Sequence, residues 1–213
     1  MSKGSISLKL LESNSQIKDK IYEAIVQEIN KRVSKNKKSV TTKLQNAVKR
    51  WVGAQPEIAS LRANSSAGSL GAQFGLTSAT SDFVADTITS AVAGSMVVKI
   101  QPIKKTLKGT LEINFQRDDF INLLNLQSGH VLTEKGTDLH WLDWLLTKGD
   151  TTIITGYTYI PGPFGRSGGG EMNIGGLWRV PPEFSGTVTN NFITRSFKGT
   201  EKETAQILKG LLL

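Results

Sequence analysis

The sequence predicts an α+β fold, in which a helical N-terminal half is followed by a small mixed or antiparallel β-sheet with flanking helices and a C-terminal helix. Two observations carry this. Apolar residues recur at helical spacing through the first part of the chain, and near residue 96 the period changes from about 3.6 to 2. The same change divides the chain into a basic helical region, residues 1–95, and an α+β domain with long interaction loops, residues 96–213.

Ile17, Ile21, Ile25, Ile29 and Val33 stand four apart, with Tyr22 and Val26 widening the stripe. That is an amphipathic helix with a narrow apolar face. The polar run SKNKKS reads as an interruption. A second stripe, Val40, Leu44, Val48, Trp51 and Val52, then completes a helical hairpin that Gly53 stops. QPEIASL opens a short helix with Pro56 in its first turn and Glu57 favoured by the helix dipole. Residues 62–81 are small, polar and glycine-rich, and read as a loop with one helical turn in SLGAQFGL or as a flexible joint. Asp82 is placed to cap a further helix through Val84, Ile88, Ala91 and Val92, ending at Gly94.

MVVKIQPI reads as a strand, and LKGTLEINF alternates with Leu107, Gly109, Leu111, Ile113 and Phe115 on one face. Asp118 or Asp119 would cap a short helix in FINLLNL. GTDLHWLDWLLTKGD reads as a compact helix ending in a Lys-Gly turn, TTIITGYTYI as a strand and EMNIGGLWRV as its partner. After the proline-bounded VPPEFSGTVTNNF, a helix beginning near Asn190 or Thr200 runs to Leu213.

Composition bounds the chemistry. At 213 residues the chain can bury a real core. It has no cysteine, which removes disulfides and thiolate metal sites, and its two histidines, His130 and His140, rule out a three-histidine zinc site within one chain. Neither an apolar run long enough to span a membrane nor the pattern of a signal peptide is present, so a soluble protein made and used in a cytosol, or assembled there, is expected. The charge is uneven: residues 1–50 hold twelve Lys or Arg against four Asp or Glu, whereas residues 51–213 hold fourteen of each. The basic excess around Lys31, Arg32, Lys35, Lys37 and Lys38 is either a solvated helix face or a surface for an acidic partner, DNA included. Lysines outnumber arginines there and no aromatic residues interleave to stack on bases.

The stretch GPFGRSGGGEM, residues 162–172, invites comparison with a phosphate cradle. Such a cradle needs a helix after the glycines; here a strand follows, and no Gly-Lys-Ser/Thr ending is present, so the stretch reads as a long hairpin tip. His140 and Asp143, three apart beside Trp141 and Trp144, suggest general-base or metal chemistry, but the surrounding leucines favour a packed helix in which His and Asp make local hydrogen bonds. Ser167 lies in GRSGG and lacks a nucleophile-elbow pattern. No catalytic, metal or cofactor site is expected, and the chain reads as a non-enzyme. Arg166, Ser167, Met172, Trp178, Arg179, Phe184, Phe192 and Arg195 are of the types that dominate interfaces and form the candidate contact set, although Trp178 and Phe192 could equally close the core.

Across residues 138–198, DLHWLDWLLTKGD, a strand, GRSGGGEM, WRVPPEFSGT and NNFITRSF follow in an order that resembles tailed-bacteriophage neck or tail-completion proteins of the head-to-tail joining class. The resemblance implies a virion structural protein, assembled in the host cytoplasm. Its subunits would form a hexameric or dodecameric ring between a portal-side ring and a tail terminator or tube, around a channel for DNA. Residues 162–172 and 178–187 would then reach neighbouring subunits. The alternative from another class is a sequence-independent nucleic-acid-binding protein using the basic first 50 residues.

Overall fold

The computed structural model describes residues 11–63, 66–115, 120–132 and 136–213. It is a mixed α+β structure. Its longest element is α1, Asn14–Gly53, a single helix of 40 residues that extends about 60 Å at the usual rise per residue. The expected hairpin is therefore replaced by one continuous helix. SKNKKS contains no Gly or Pro, and lysines with one asparagine and two serines cost little on a solvated face, so nothing in it stops propagation. Ser13 caps the start: its hydroxyl accepts from the Gln16 N–H at 3.3 Å while the Gln16 side chain accepts the Ser13 N–H at 2.8 Å.

The two halves of α1 differ in what they bury. Val40, Leu44, Ala47, Val48, Trp51 and Val52 are core residues, whereas Ile21 and Ile25 remain 52% and 40% exposed. A polar clip holds the first half. The Asn30 side-chain N–H donates to the Ile103 carbonyl and its oxygen accepts the Ile103 N–H, both at 2.9 Å.

Helix α2, Pro56–Arg62, and the single turn α3, Leu70–Gln73, precede α4, Ser78–Ser95, which lies along α1. The α4 cap is Thr77, whose N–H donates to Thr80 Oγ1 at 3.0 Å, rather than Asp82. Asp82 instead joins Asp86, one turn on, in a fork around Arg62, at 2.7 and 2.6 Å, which ties α2 to α4. The segment around α3 is no flexible joint: Leu70 to Phe74 are all buried.

Among the described residues the strands form three separate antiparallel hairpins, not one sheet: β1, Val97–Gln101, with β2, Thr110–Asn114; β3, Val131–Leu132, with β4, Asp138–Leu139; and β5, Ile154–Pro161, with β6, Gly170–Trp178. The alternation of LKGTLEINF survives only in part, since Leu111 is exposed. Helix α5, Ile121–Leu124, follows Phe120; a cap from Asp118 or Asp119 lies outside the described residues. The DLHWLDWLL segment divides, with Asp138 and Leu139 in β4 and only Leu142–Leu146 forming α6. Of the two expected starts of the C-terminal helix, Thr200 is the one at the N-cap of α8, Glu201–Lys209, which stops short of Leu213; a separate short helix α7, Phe192–Ser196, precedes it, parted from it by Gly199 at φ 78°.

One hydrophobic cluster runs from Val40 to Leu211 and draws on both the helical and the mixed segments. Two aromatic groups organise it. Phe74 stacks on Trp141 at 4.5 Å and meets Trp178 edge-on, while Phe115 and Phe197 stack at 4.8 Å beneath the edge of Trp51. The indole N–H of Trp51 donates to Glu203 at 2.9 Å, which fastens α8 to α1.

Candidate functional site

The hairpin β5–β6 carries exposed apolar residues, and its two ends are held differently from its middle. At the tip, the Tyr159 hydroxyl donates to the Gly169 carbonyl at 2.7 Å and accepts the Gly68 N–H at 3.4 Å. Burial raises the Tyr159 phenol above its ordinary value, and the Gly68 bond opposes that shift. Arg166 lies over Gly75, where a Cβ would come within 2.5 Å of its Nη2. The glycine stretch is a hairpin tip as expected, but it is docked onto the segment around α3. Gly170, at φ 154°, sits against the Tyr159 ring and the Ile160 carbonyl, with no space for a side chain. At the base, Trp178 is buried and its indole N–H points to Gln73 Oε1 at 3.4 Å.

Between these anchors a bulge re-aims the ladder. The register passes from Thr155↔Leu177 to Tyr157↔Ile174, so Gly156 faces both Gly175 and Gly176. A Cβ on Gly176 would lie 2.1 Å from Thr158 Oγ1, and that hydroxyl donates to the Gly175 carbonyl at 2.6 Å. Beside the bulge, Ile174 is 90% and Leu177 52% exposed. Among the described residues neither strand pairs with a third.

The sequence-derived contact set distributes unevenly over this surface. Arg166 and Arg179 are exposed, and Met172 and Phe184 are partly buried against the core. Ser167, Trp178 and Phe192 are buried, so their side chains serve the interior rather than a contact surface. Arg195 turns inward to the carboxylate of Glu57 on α2, which is itself fully buried. Burial raises the Glu57 carboxyl above its ordinary range; its own backbone and the Arg195 guanidinium pull it back. Residues 178–187 do not extend freely either. The Gly186 N–H donates to the Trp144 carbonyl at 2.9 Å, and Asn191 bonds the Leu146 and Thr187 carbonyls at 3.1 and 2.9 Å.

Lys31, Arg32, Lys35, Lys37 and Lys38 are all exposed on α1. Arg32 is engaged by Glu28 at 2.8 Å and reaches the Leu212 carbonyl at 3.4 Å. Lys31, Lys35 and Lys38 follow one another at i, i+4 and i+7 and share one face.

His140 and Asp143 do not act together. The Asp143 carboxylate accepts from Thr147 and faces Lys148 at 3.8 Å, while His140 turns to Asp138. Asp138 Oδ2 lies 3.2 Å from His130 Nδ1 and 3.3 Å from His140 Nε2. Sequence reasoning missed this grouping because it sought helical spacing. The overlooked signal is D-x-H, which puts both side chains on one face of a strand, with His130 opposite His140 when the Val131↔Leu139 pairing is extended by one residue.

No protein-family model, no curated protein and no solved structure matches this chain. No described helix is long and apolar enough to cross a membrane.

Proposed function

We propose that the protein is a structural subunit of a tailed-phage neck, a closed homo-oligomeric ring that joins head and portal to tail. Its copies meet through the outer part of the β5–β6 hairpin. The observation that supports this reading is the exposed pair Ile174 and Leu177 on a two-stranded ladder whose strands pair with no third strand among the described residues. An apolar, unpaired strand edge invites a further strand, and repeated contact between two different patches closes a ring. The reading places Arg166 and Arg179 at the rim of the contact, and it needs no bound cofactor. Mass measurement with negative-stain electron microscopy tests it. The wild-type chain should form rings, and Ile174→Asp with Leu177→Asp should leave folded monomers. A wild-type chain that stays monomeric at every concentration, or rings that persist in the double variant, would refute the contact.

The row Lys31, Lys35 and Lys38 supports a second reading, in which α1 contacts the DNA backbone, either inside such a ring or as a free nucleic-acid-binding protein.

A further inference from the structure

The face of the β3–β4 hairpin that carries His130, Asp138 and His140 is separate from the surface discussed above, and its chemistry is incomplete as protein alone. His130 Nε2 lies 3.1 Å from the Leu124 carbonyl, an atom that can only accept. If that nitrogen carries the proton of the neutral ring, Nδ1 presents a lone pair to Asp138 Oδ2 at 3.2 Å, acceptor against acceptor. If the proton sits on Nδ1 instead, the conflict moves to Leu124. A neutral His130 therefore cannot satisfy both neighbours. Either a second proton or a cation beside Nδ1 resolves the contact.

Three observations favour the cation. Histidines that bind metals characteristically donate their other ring N–H to a backbone carbonyl or carboxylate, and His130 Nε2 is placed to do so toward the Leu124 carbonyl at 3.1 Å. A second imidazole nitrogen, His140 Nε2, converges on the same carboxylate oxygen, so that one atom from each residue lies within 4.8 Å of the others. The two oxygen–nitrogen separations, 3.2 and 3.3 Å, match the edge of a tetrahedron built on bonds of about 2.0–2.1 Å, which is about 3.3 Å. The remaining edge, between the two imidazole nitrogens, is within 4.8 Å, and His140, half exposed, is free to turn its ring out of its tilted contact with His130 and aim Nε2 at a shared ion.

We propose that His130 Nδ1, Asp138 Oδ2 and His140 Nε2 bind one Zn²⁺, leaving a fourth position open to water or to a donor from another chain. Two imidazoles and one carboxylate form a borderline donor set, which suits Zn²⁺ over Mg²⁺ or Ca²⁺. The ion would lock His130 between β3 and the Leu124 carbonyl at the end of α5, and so pin the β3–β4 hairpin to that helix.

The test uses tag-free full-length protein, freed of metal with a chelator and titrated with Zn²⁺ in a calorimeter, with Co²⁺ as the spectroscopic probe. One Zn²⁺ per chain is expected, together with the intense visible bands of low-coordinate Co²⁺. Asp138→Asn and His140→Ala, both at half-exposed side chains, should each weaken affinity by about 100-fold or more while leaving the far-ultraviolet circular dichroism unchanged. No stoichiometric Zn²⁺ uptake, or uptake equal in the wild type and both variants, would overturn the proposal. A His130 ring found doubly protonated by NMR in the presence of excess Zn²⁺ would also overturn it, making the cluster a proton-held ion pair.

Discussion

Replacing Arg195 by Ala isolates the one fully buried carboxylate described in the fold. Glu57 is 1% exposed at its side chain; Arg195 Nη2 donates to its Oε1, and its Oε2 is buried without a partner. Removing the guanidinium leaves both oxygens without a side-chain donor, a situation that costs about 3–5 kcal/mol. Because Arg195 itself is 28% exposed, water can enter the vacated space, so the lower end, about 3 kcal/mol, is expected. For a chain of this length that lowers the melting temperature by about 6–12 °C. The pH dependence identifies the cause. Burial places the Glu57 carboxyl above its ordinary value, so from about pH 4.3 up to the raised value the native chain holds more protons than the unfolded one. Stability in that window falls as pH rises, and the cost of the charged form is fully expressed above it. Without Arg195 the window extends further upward, so the gap between wild type and Arg195→Ala should be wider at pH 8 than at pH 5. Thermal melts followed by circular dichroism at both values give the answer, with Glu57→Gln as the control whose melting temperature should vary less with pH. An equal gap at pH 5 and pH 8 would show that Arg195 acts by packing alone.

Two further outcomes follow from α1. Asn30→Ala removes both bonds to Ile103, and at about 1 kcal/mol each it should loosen the first half of the helix, seen as faster amide exchange over residues 14–33 with little change over residues 40–52. Equal acceleration in both halves would mean that α1 unfolds as one unit. Replacing Lys31, Lys35 and Lys38 by Glu should leave the melting temperature nearly unchanged, since all three are solvated, and should abolish any salt-sensitive DNA binding. DNA affinity equal to that of the wild type would remove this face from the account.

The elements that were legible in the sequence are those whose partners are close in the chain. QPEIASL, the strand TTIITGYTYI with its mate EMNIGGLWRV across a short tip, and the core stripe from Val40 to Val52 all carry their pattern in their own or the adjoining segment. The misreadings share a cause. SKNKKS looked like a boundary because it is polar, yet a helix that leaves the core needs no apolar residue to continue. Asp82 has the chemistry of a cap, but Arg62, twenty residues earlier, claims it. The contact set shows the same dependence on distant partners. Trp178 is a residue that interfaces and interiors both take, and Arg195 turns inward only because a carboxylate pairs it; only Gln73 and Glu57, each more than a hundred residues away, reveal which use applies to these two.

The same distinction explains where the exposed apolar surface came from. Ile174 and Leu177 belong to a strand whose alternation is cut by Gly175 and Gly176, and the bulge these create turns the strand's middle away from the core while Met172 and Trp178 stay anchored at either side. Gly176 is required because a side chain would strike Thr158, so the kink is built into the hairpin rather than left to flexibility. A bulged strand held at Met172 and Trp178 would offer a partner a preformed surface, with little ordering cost to be met on association. That is why Gly176→Ala, which strains the bulge without touching Ile174 or Leu177, should speed amide exchange across residues 154–178 and, on the ring reading proposed above, weaken assembly with it; unchanged exchange there would show that the bulge does not depend on Gly176.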